Sequence, residues 1–161
     1  MIYDIPGRTG VRITDETLAR LAEHERILAV KDATGDVEQG FRRMEATGLE
    51  YYSGDDGLNF AWLAHGASGV VSVVAHADAH SWREMITEVD AGDLAGARAV
   101  ARRIRPLVQA IMGGGQGAVM AKEALLLQGR IPSAALRLPL VRAEADEVAA
   151  LRAVLDASGL L

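Results

Sequence analysis

The chain has 161 residues with a formal charge of −5, 50% hydrophobic and 24% charged residues, and no cysteine. That supports one globular core and excludes a disordered chain, a disulfide framework and a thiolate metal site; it agrees with a cytoplasmic protein. Net negative charge without a basic stripe argues against nucleic acid, and no apolar run approaches the roughly 20 residues of a membrane helix. The opening Met1-Ile2-Tyr3-Asp4 carries no basic segment followed by an apolar stretch, so no secretory signal is expected.

Four short β-rich runs alternate with helical patterns. Residues 2–5 read as a strand broken by Pro6-Gly7, and a helix follows from Thr14 or Asp15 with Leu18, Leu21 and Ala22 as its stripe. Residues 27–31 form a near-continuous apolar run ending in Lys31, as a strand buried on both faces would. A helix over 36–47 stops at Gly48; a strand over 49–53 leads to a helix over 58–65; a strand over 69–74 leads to a helix over 79–90. This alternation predicts βα units and a parallel sheet. Beyond Gly92 the apolar residues recur at three- and four-residue spacing through Ile111, a long helix interrupted by Pro106. Helices over 118–128 and 143–157 complete a helical tail. The expected domains are therefore residues 1–91, with four βα units, and residues 92–161, a three-helix extension.

Of the 17 basic residues only Lys31 and Lys122 are lysines. Either residue supplies a surface charge, but only an amine can lose its proton and attack a carbonyl, so each lysine is a candidate for such chemistry. In parallel α/β folds functional groups gather at the C-terminal strand ends. Tyr3 and Arg8, then Lys31, then Ser53-Gly54-Asp55-Asp56, then Val71-Ser72-Val73 occupy those ends. Lys31 closes an apolar strand, so partial desolvation favours its neutral, nucleophilic form. Tyr3 could relay protons and Arg8 could hold a carboxylate. The plainer alternatives remain open at this point: Lys31 as a strand-end charge in solvent, Tyr3 as a core wall, Arg8 as surface.

Four motifs in order carry a resemblance: Tyr3-Asp4-Ile5-Pro6-Gly7-Arg8-Thr9-Gly10, Val30-Lys31-Asp32-Ala33-Thr34-Gly35-Asp36, Ser53-Gly54-Asp55-Asp56 and Gly69-Val70-Val71-Ser72-Val73. With Leu136-Arg137-Leu138-Pro139 near the end, the whole chain resembles the dihydrodipicolinate synthase family of pyruvate-dependent class I aldolases and lyases. The resemblance implies an α/β fold, the second half of a (β/α)8 barrel with a C-terminal helical extension. It implies a Schiff-base lysine at Lys31, a proton-relaying Tyr3, Arg8 on the carboxylate of the aldehyde substrate, and Gly54 and Val71 lining the pyruvate pocket. The implied reaction is condensation of pyruvate with aspartate 4-semialdehyde, in lysine and diaminopimelate biosynthesis. It needs no cofactor beyond the covalent imine on Lys31, and the full-length form is expected to be a homo-oligomer, a homotetramer. Arg8 favours the synthase over the N-acetylneuraminate or keto-deoxy sugar acid lyases of the family. A complete barrel takes about 250 residues, so the chain is expected to be a C-terminal half, without the loop that holds the pyruvate carboxylate, the second tyrosine, or most of the lysine feedback site. The reading from another class is a catalytically incomplete half barrel, or assembly module, with exposed sheet edges prone to self-association.

Other motifs point less far. His76 and His80 stand four apart, but no third ligand is evident and no metal is expected. Asp55-Asp56 read as helix-capping acids and Gly113–Gly117 as a flexible connection between helices. Asp32–Asp36 reads as a loop and not as a phosphorylation site. Arg98, Arg102, Arg103 and Arg105 read as a solvated helix face, with subunit contact as the alternative.

Overall fold

The computed structural model describes residues 1–114 and 116–161; Gly115, in the expected helix connection, lies outside the described residues. The chain divides into two compact units, Met1–Ser72 and Val73–Leu161. The first holds β1 (Ile2–Asp4), α1 (Pro6–Thr9), α2 (Asp15–Ala22), β2 (Ala29–Asp32), α3 (Val37–Thr47), β3 (Glu50–Ser53), α4 (Asn59–Ala64) and β4 (Gly69–Val70). All three strand pairings are parallel, in the order β1-β2-β3-β4. This is the parallel sheet of βα units that the alternation predicts, in the strand order that the resemblance to half of a barrel implies.

Local signals set the helix ends. The Thr14 hydroxyl accepts from the Thr17 amide and the Asp36 carboxylate from the Gln39 amide, so both act as N-caps. Gly48 closes α3 at φ 65°, a left-handed conformation that glycine adopts at little cost. The register aligns Ile2, Val30 and Tyr51 in one row and Tyr3, Lys31 and Tyr52 in the next. Successive side chains point to opposite faces. The first row therefore faces the helices, where Val30 and Tyr51 pack with Leu18, Leu49 and Trp62 in a buried cluster. Trp62 stacks on Tyr51 at 5.7 Å and meets Phe41 edge-on at 5.2 Å. A β-carbon at Gly40 would stand 2.1 Å from the Trp62 ring, so α3 needs glycine there for the indole to seat.

The fourth strand is shorter than its β-branched run suggests. It covers Gly69–Val70, and a 3-10 turn spans Val74–His76 because Val73 has helical backbone angles and Val74 is fully buried. That turn opens the second unit, which continues with α5 (Ala79–Asp90), α6 (Leu94–Met112), α7 (Gly117–Leu127) and α8 (Ala145–Ala157). The unit boundary lies after Ser72, not after residue 91, because α5 packs on α6 and the Arg103 guanidinium reaches Glu84 and Ser81 across that contact. Pro106 does not interrupt α6, contrary to expectation. Pro106 and Arg102 are both exposed, so the carbonyl left without a donor meets water, while Ile104, Leu107 and Ile111 stay buried on the other side. In the same unit buried Glu123 receives both Arg142 donors at 2.8 Å, and Lys122 donates to the Ala135 carbonyl at 2.6 Å. The second lysine thus ties down a loop.

Candidate active site

The candidate site is built on the row Tyr3, Lys31 and Tyr52 of the first unit. Ala29 and Val30 are buried, Lys31 is half-buried and the chain turns after Asp32, so β2 delivers an amine at its C-terminal end. The Lys31 Nζ lies 3.9 Å from the centroid of the Tyr3 ring, within cation–π reach. Tyr3 is 43% exposed, so it is no core wall. Gly54 donates its amide to the Asp32 carbonyl at 2.7 Å, which brings the turn after β3 against the end of β2. A β-carbon there would fall 2.8 Å from Cε and 3.0 Å from Cγ of Lys31. The structure therefore joins Tyr3, Lys31 and Gly54. Tyr52, opposite Lys31 in the register, belongs to the same row although no motif singled it out. Counting two residues back from Gly54, to the next side chain on the same face of the strand, would have found it.

Arg8 sits in α1, which Pro6 starts and Gly10 ends in the left-handed conformation at φ 74°. It is exposed. Val71 follows β4, donates its amide to the Ser53 carbonyl at 2.8 Å and is 38% exposed. Among the described residues no hydrogen bond or ion pair links Arg8 or Val71 to Lys31. Both lie beyond the C-terminal ends of strands, as Gly54 does, while Lys31 is the last residue but one of β2.

Behind the row, on the helix side, lies a charge network that sequence reading missed. Asp4 and Asp32 are buried neighbours in the β1–β2 register. Arg43 of α3, only 5% exposed, donates to Asp4 at 3.2 Å, Asp15 at 2.6 Å and the Ile13 carbonyl at 2.6 Å. Burial alone would lower the Arg43 pKa, but Asp15 and Asp4 hold it above the ordinary value. Burial raises the Asp32 pKa, against hydrogen bonds from the Thr34 amide and hydroxyl, with the nearby Asp4 charge adding to the rise. Those bonds make Asp32–Asp36 a structured turn after Lys31.

The adjacent acids resolve differently from their sequence reading. Neither adjacent acid caps α4, whose N-cap is Leu58. Asp55 accepts the Gly57 amide at 2.9 Å, and buried Asp56 accepts Asn59 and the Ser72 hydroxyl. His76 lies in the 3-10 turn with Nδ1 2.8 Å from the Val73 carbonyl, and His80 lies in α5, so they share no helix face. Among the described residues no three His, Asp or Glu side chains converge as metal ligands. Of the arginine cluster, Arg103 pairs with Glu84 across to α5, while Arg98, Arg102 and Arg105 are exposed.

The dihydrodipicolinate synthetase family model matches residues 1–158. The chain belongs to that family. The 4-hydroxy-tetrahydrodipicolinate synthase of Kineococcus radiotolerans is 52% identical over 160 residues, which is 99% of this chain and 52% of that protein. The dihydrodipicolinate synthase structure from Thermotoga maritima aligns with a TM-score of 0.93 and 38% identity, over 99% of this chain and 55% of that one. The chloride-inhibited dihydrodipicolinate synthase from Acinetobacter baumannii complexed with pyruvate aligns at 0.92 and 33%, again over 99% and 55%. The chain thus spans about half the length of the dihydrodipicolinate synthetase family members it matches, and its four βα units align within their α/β barrel.

Proposed function

We propose that this chain carries the Schiff-base half of a 4-hydroxy-tetrahydrodipicolinate synthase. The Lys31 amine adds to the pyruvate carbonyl and water leaves, giving a covalent imine that serves in place of a cofactor. Loss of a proton from the pyruvate methyl group gives the enamine, whose carbon bonds to the aldehyde carbon of aspartate 4-semialdehyde; the amino group of that substrate then adds to the imine carbon and displaces the Lys31 amine, which closes the ring and frees the lysine. Tyr3 passes protons at the imine, Arg8 holds the carboxylate of the aldehyde substrate, and Gly54 and Val71 shape the pyruvate pocket. The reaction class is that of a carbon–oxygen lyase in diaminopimelate and lysine biosynthesis, in a cytoplasmic homotetramer when full-length.

One observation carries this reading: the half-buried Lys31 amine stands over the exposed Tyr3 ring at the sheet's C-terminal edge, in a chain of this family. Support also comes from the relative crystallised with pyruvate. Incubation with pyruvate and borohydride should leave a reduced adduct on Lys31 that Lys31→Ala abolishes. Absence of any adduct favours the second reading, a half barrel that needs further chain to act, which the half-length match to its relatives motivates.

A further inference from the structure

Arg43 is unusual among the arginines here, since its three donor groups go to three different places along one loop. Asp4 ends β1 before the loop, and Ile13 and Asp15 close it where α2 begins. Asp4 also accepts the Ile13 amide at 3.3 Å, so the two loop ends bond to each other as well as to the guanidinium. Between them lies α1 with Arg8. Arg12 adds a tie from the same loop to α3, donating to Gln39 at 2.7 Å. The Asp32–Asp36 turn that follows Lys31 runs directly into α3. One helix thus anchors the Arg8 loop and continues from the Lys31 strand.

A buried ion pair is weak evidence for stability, because well-packed apolar residues often replace one without loss. Its divergent geometry is the informative part. Only a planar guanidinium offers donors in three fixed directions; an ammonium at the same place is a point charge. We propose that Arg43 is a positioning residue that fastens both ends of the Arg8 loop, so that Arg8 is presented at the C-terminal edge of the sheet to the carboxylate of the second substrate. This rests on the role given above to Arg8.

The test compares the chain with Arg43→Met and Arg43→Lys by hydrogen exchange, by borohydride trapping of pyruvate on Lys31, and by phenylglyoxal labelling of Arg8 with succinate semialdehyde as protecting ligand. In both variants amides 7–13 should exchange about ten-fold faster or more, with β2 and β3 little changed. The semialdehyde concentration that half-protects Arg8 should rise about ten-fold, while the pyruvate concentration for half-maximal trapping stays put. Uniform loosening of the unit, unchanged exchange at 7–13, or unchanged protection of Arg8 overturns the proposal. So does full rescue by Arg43→Lys, since charge alone would then suffice. Asp15→Ala, which removes one exposed arm of the clamp, carries the same test if Arg43→Met fails to fold; about three-fold faster exchange at 7–13 supports the clamp and no change refutes it. Failure of the functional reading looks different. Without a pyruvate adduct or semialdehyde protection in the unsubstituted chain, the substrate role falls, and the exchange arm still decides whether Arg43 holds the loop.

Discussion

A β-carbon on Gly54 would stand 2.8 Å from Cε of Lys31. The nearest obstacle is a flexible side chain, with the Ala33 methyl next at 3.1 Å, so the fold can absorb Gly54→Ala while the amine cannot keep its place. Misplacement of a reacting group by about 1 Å costs on the order of 100-fold in rate. We expect Gly54→Ala to melt near the parent temperature and to trap pyruvate about 100-fold more slowly. Gly114→Ala is the control, because a β-carbon there would meet nothing within 4 Å. Trapping at the parent rate in Gly54→Ala would show that the glycine makes no room that the chemistry needs.

Tyr3 offers Lys31 two things: a ring face under the ammonium and a phenol. Tyr3→Phe keeps the first and removes the second. If the phenol relays protons, trapping should slow by about 100-fold or more, in the range typical of general acid–base catalysis. Tyr3→Ala should slow it at least as much and also loosen Lys31, since an exposed cation–π contact is worth about 0.5–1 kcal/mol. Single-turnover trapping across the neutral pH range separates these outcomes. A Phe variant as fast as the parent would leave the ring face as the whole contribution of Tyr3.

Burial raises the pKa of Asp32. A carboxyl whose folded value lies above its unfolded one stabilises the fold below the unfolded value, near 3.8, and that contribution is lost as pH rises through the folded value. Asp32→Asn keeps the acceptor that Thr34 uses and carries no charge. The variant should therefore gain on the parent between pH 3 and pH 7 in urea unfolding. A parent that gains on the variant over that window would mean that Arg43 outweighs burial at Asp32.

Much of this was legible in the chain itself. Thr14, Asp36 and Gly48 are local signals, and α2 and α3 start or stop where those residues place them. Lys31 and Tyr3 were legible because a charge or a phenol at the end of an apolar strand is conspicuous. Arg43 was not, since Arg42-Arg43 in a helix reads as surface and only tertiary packing brings Asp4 and Asp15 to one of the pair. The closeness of Gly54 to the lysine stem was not legible either, since no spacing encodes that distance. At Pro106 and Val74 burial overrode local preference: apolar contacts carry α6 through a proline, and a β-branched run turns instead of extending the sheet.

Tyr51 supplies a test of the core itself. Its side chain is 1% exposed, and its hydroxyl has no hydrogen-bond partner among the described residues, the Thr47 hydroxyl beside it donating to the Arg43 carbonyl. Burial, with the Asp32 charge adding, pushes the phenol up from 10 to about 12. A raised folded value means the stabilisation is complete below pH 10 and disappears as pH climbs through 12. One pKa unit corresponds to about 1.4 kcal/mol, so the parent should lose about 1 kcal/mol by pH 11 from this group alone. Tyr51→Phe removes both the unpaired hydroxyl and the titration. It should match or exceed the parent at pH 7, where deleting an unpaired buried polar group is close to neutral or favourable, and pull ahead by about 1 kcal/mol at pH 11. Parallel urea-unfolding curves for the two proteins from pH 8 to pH 11 would mean that the phenol reaches water when it ionises.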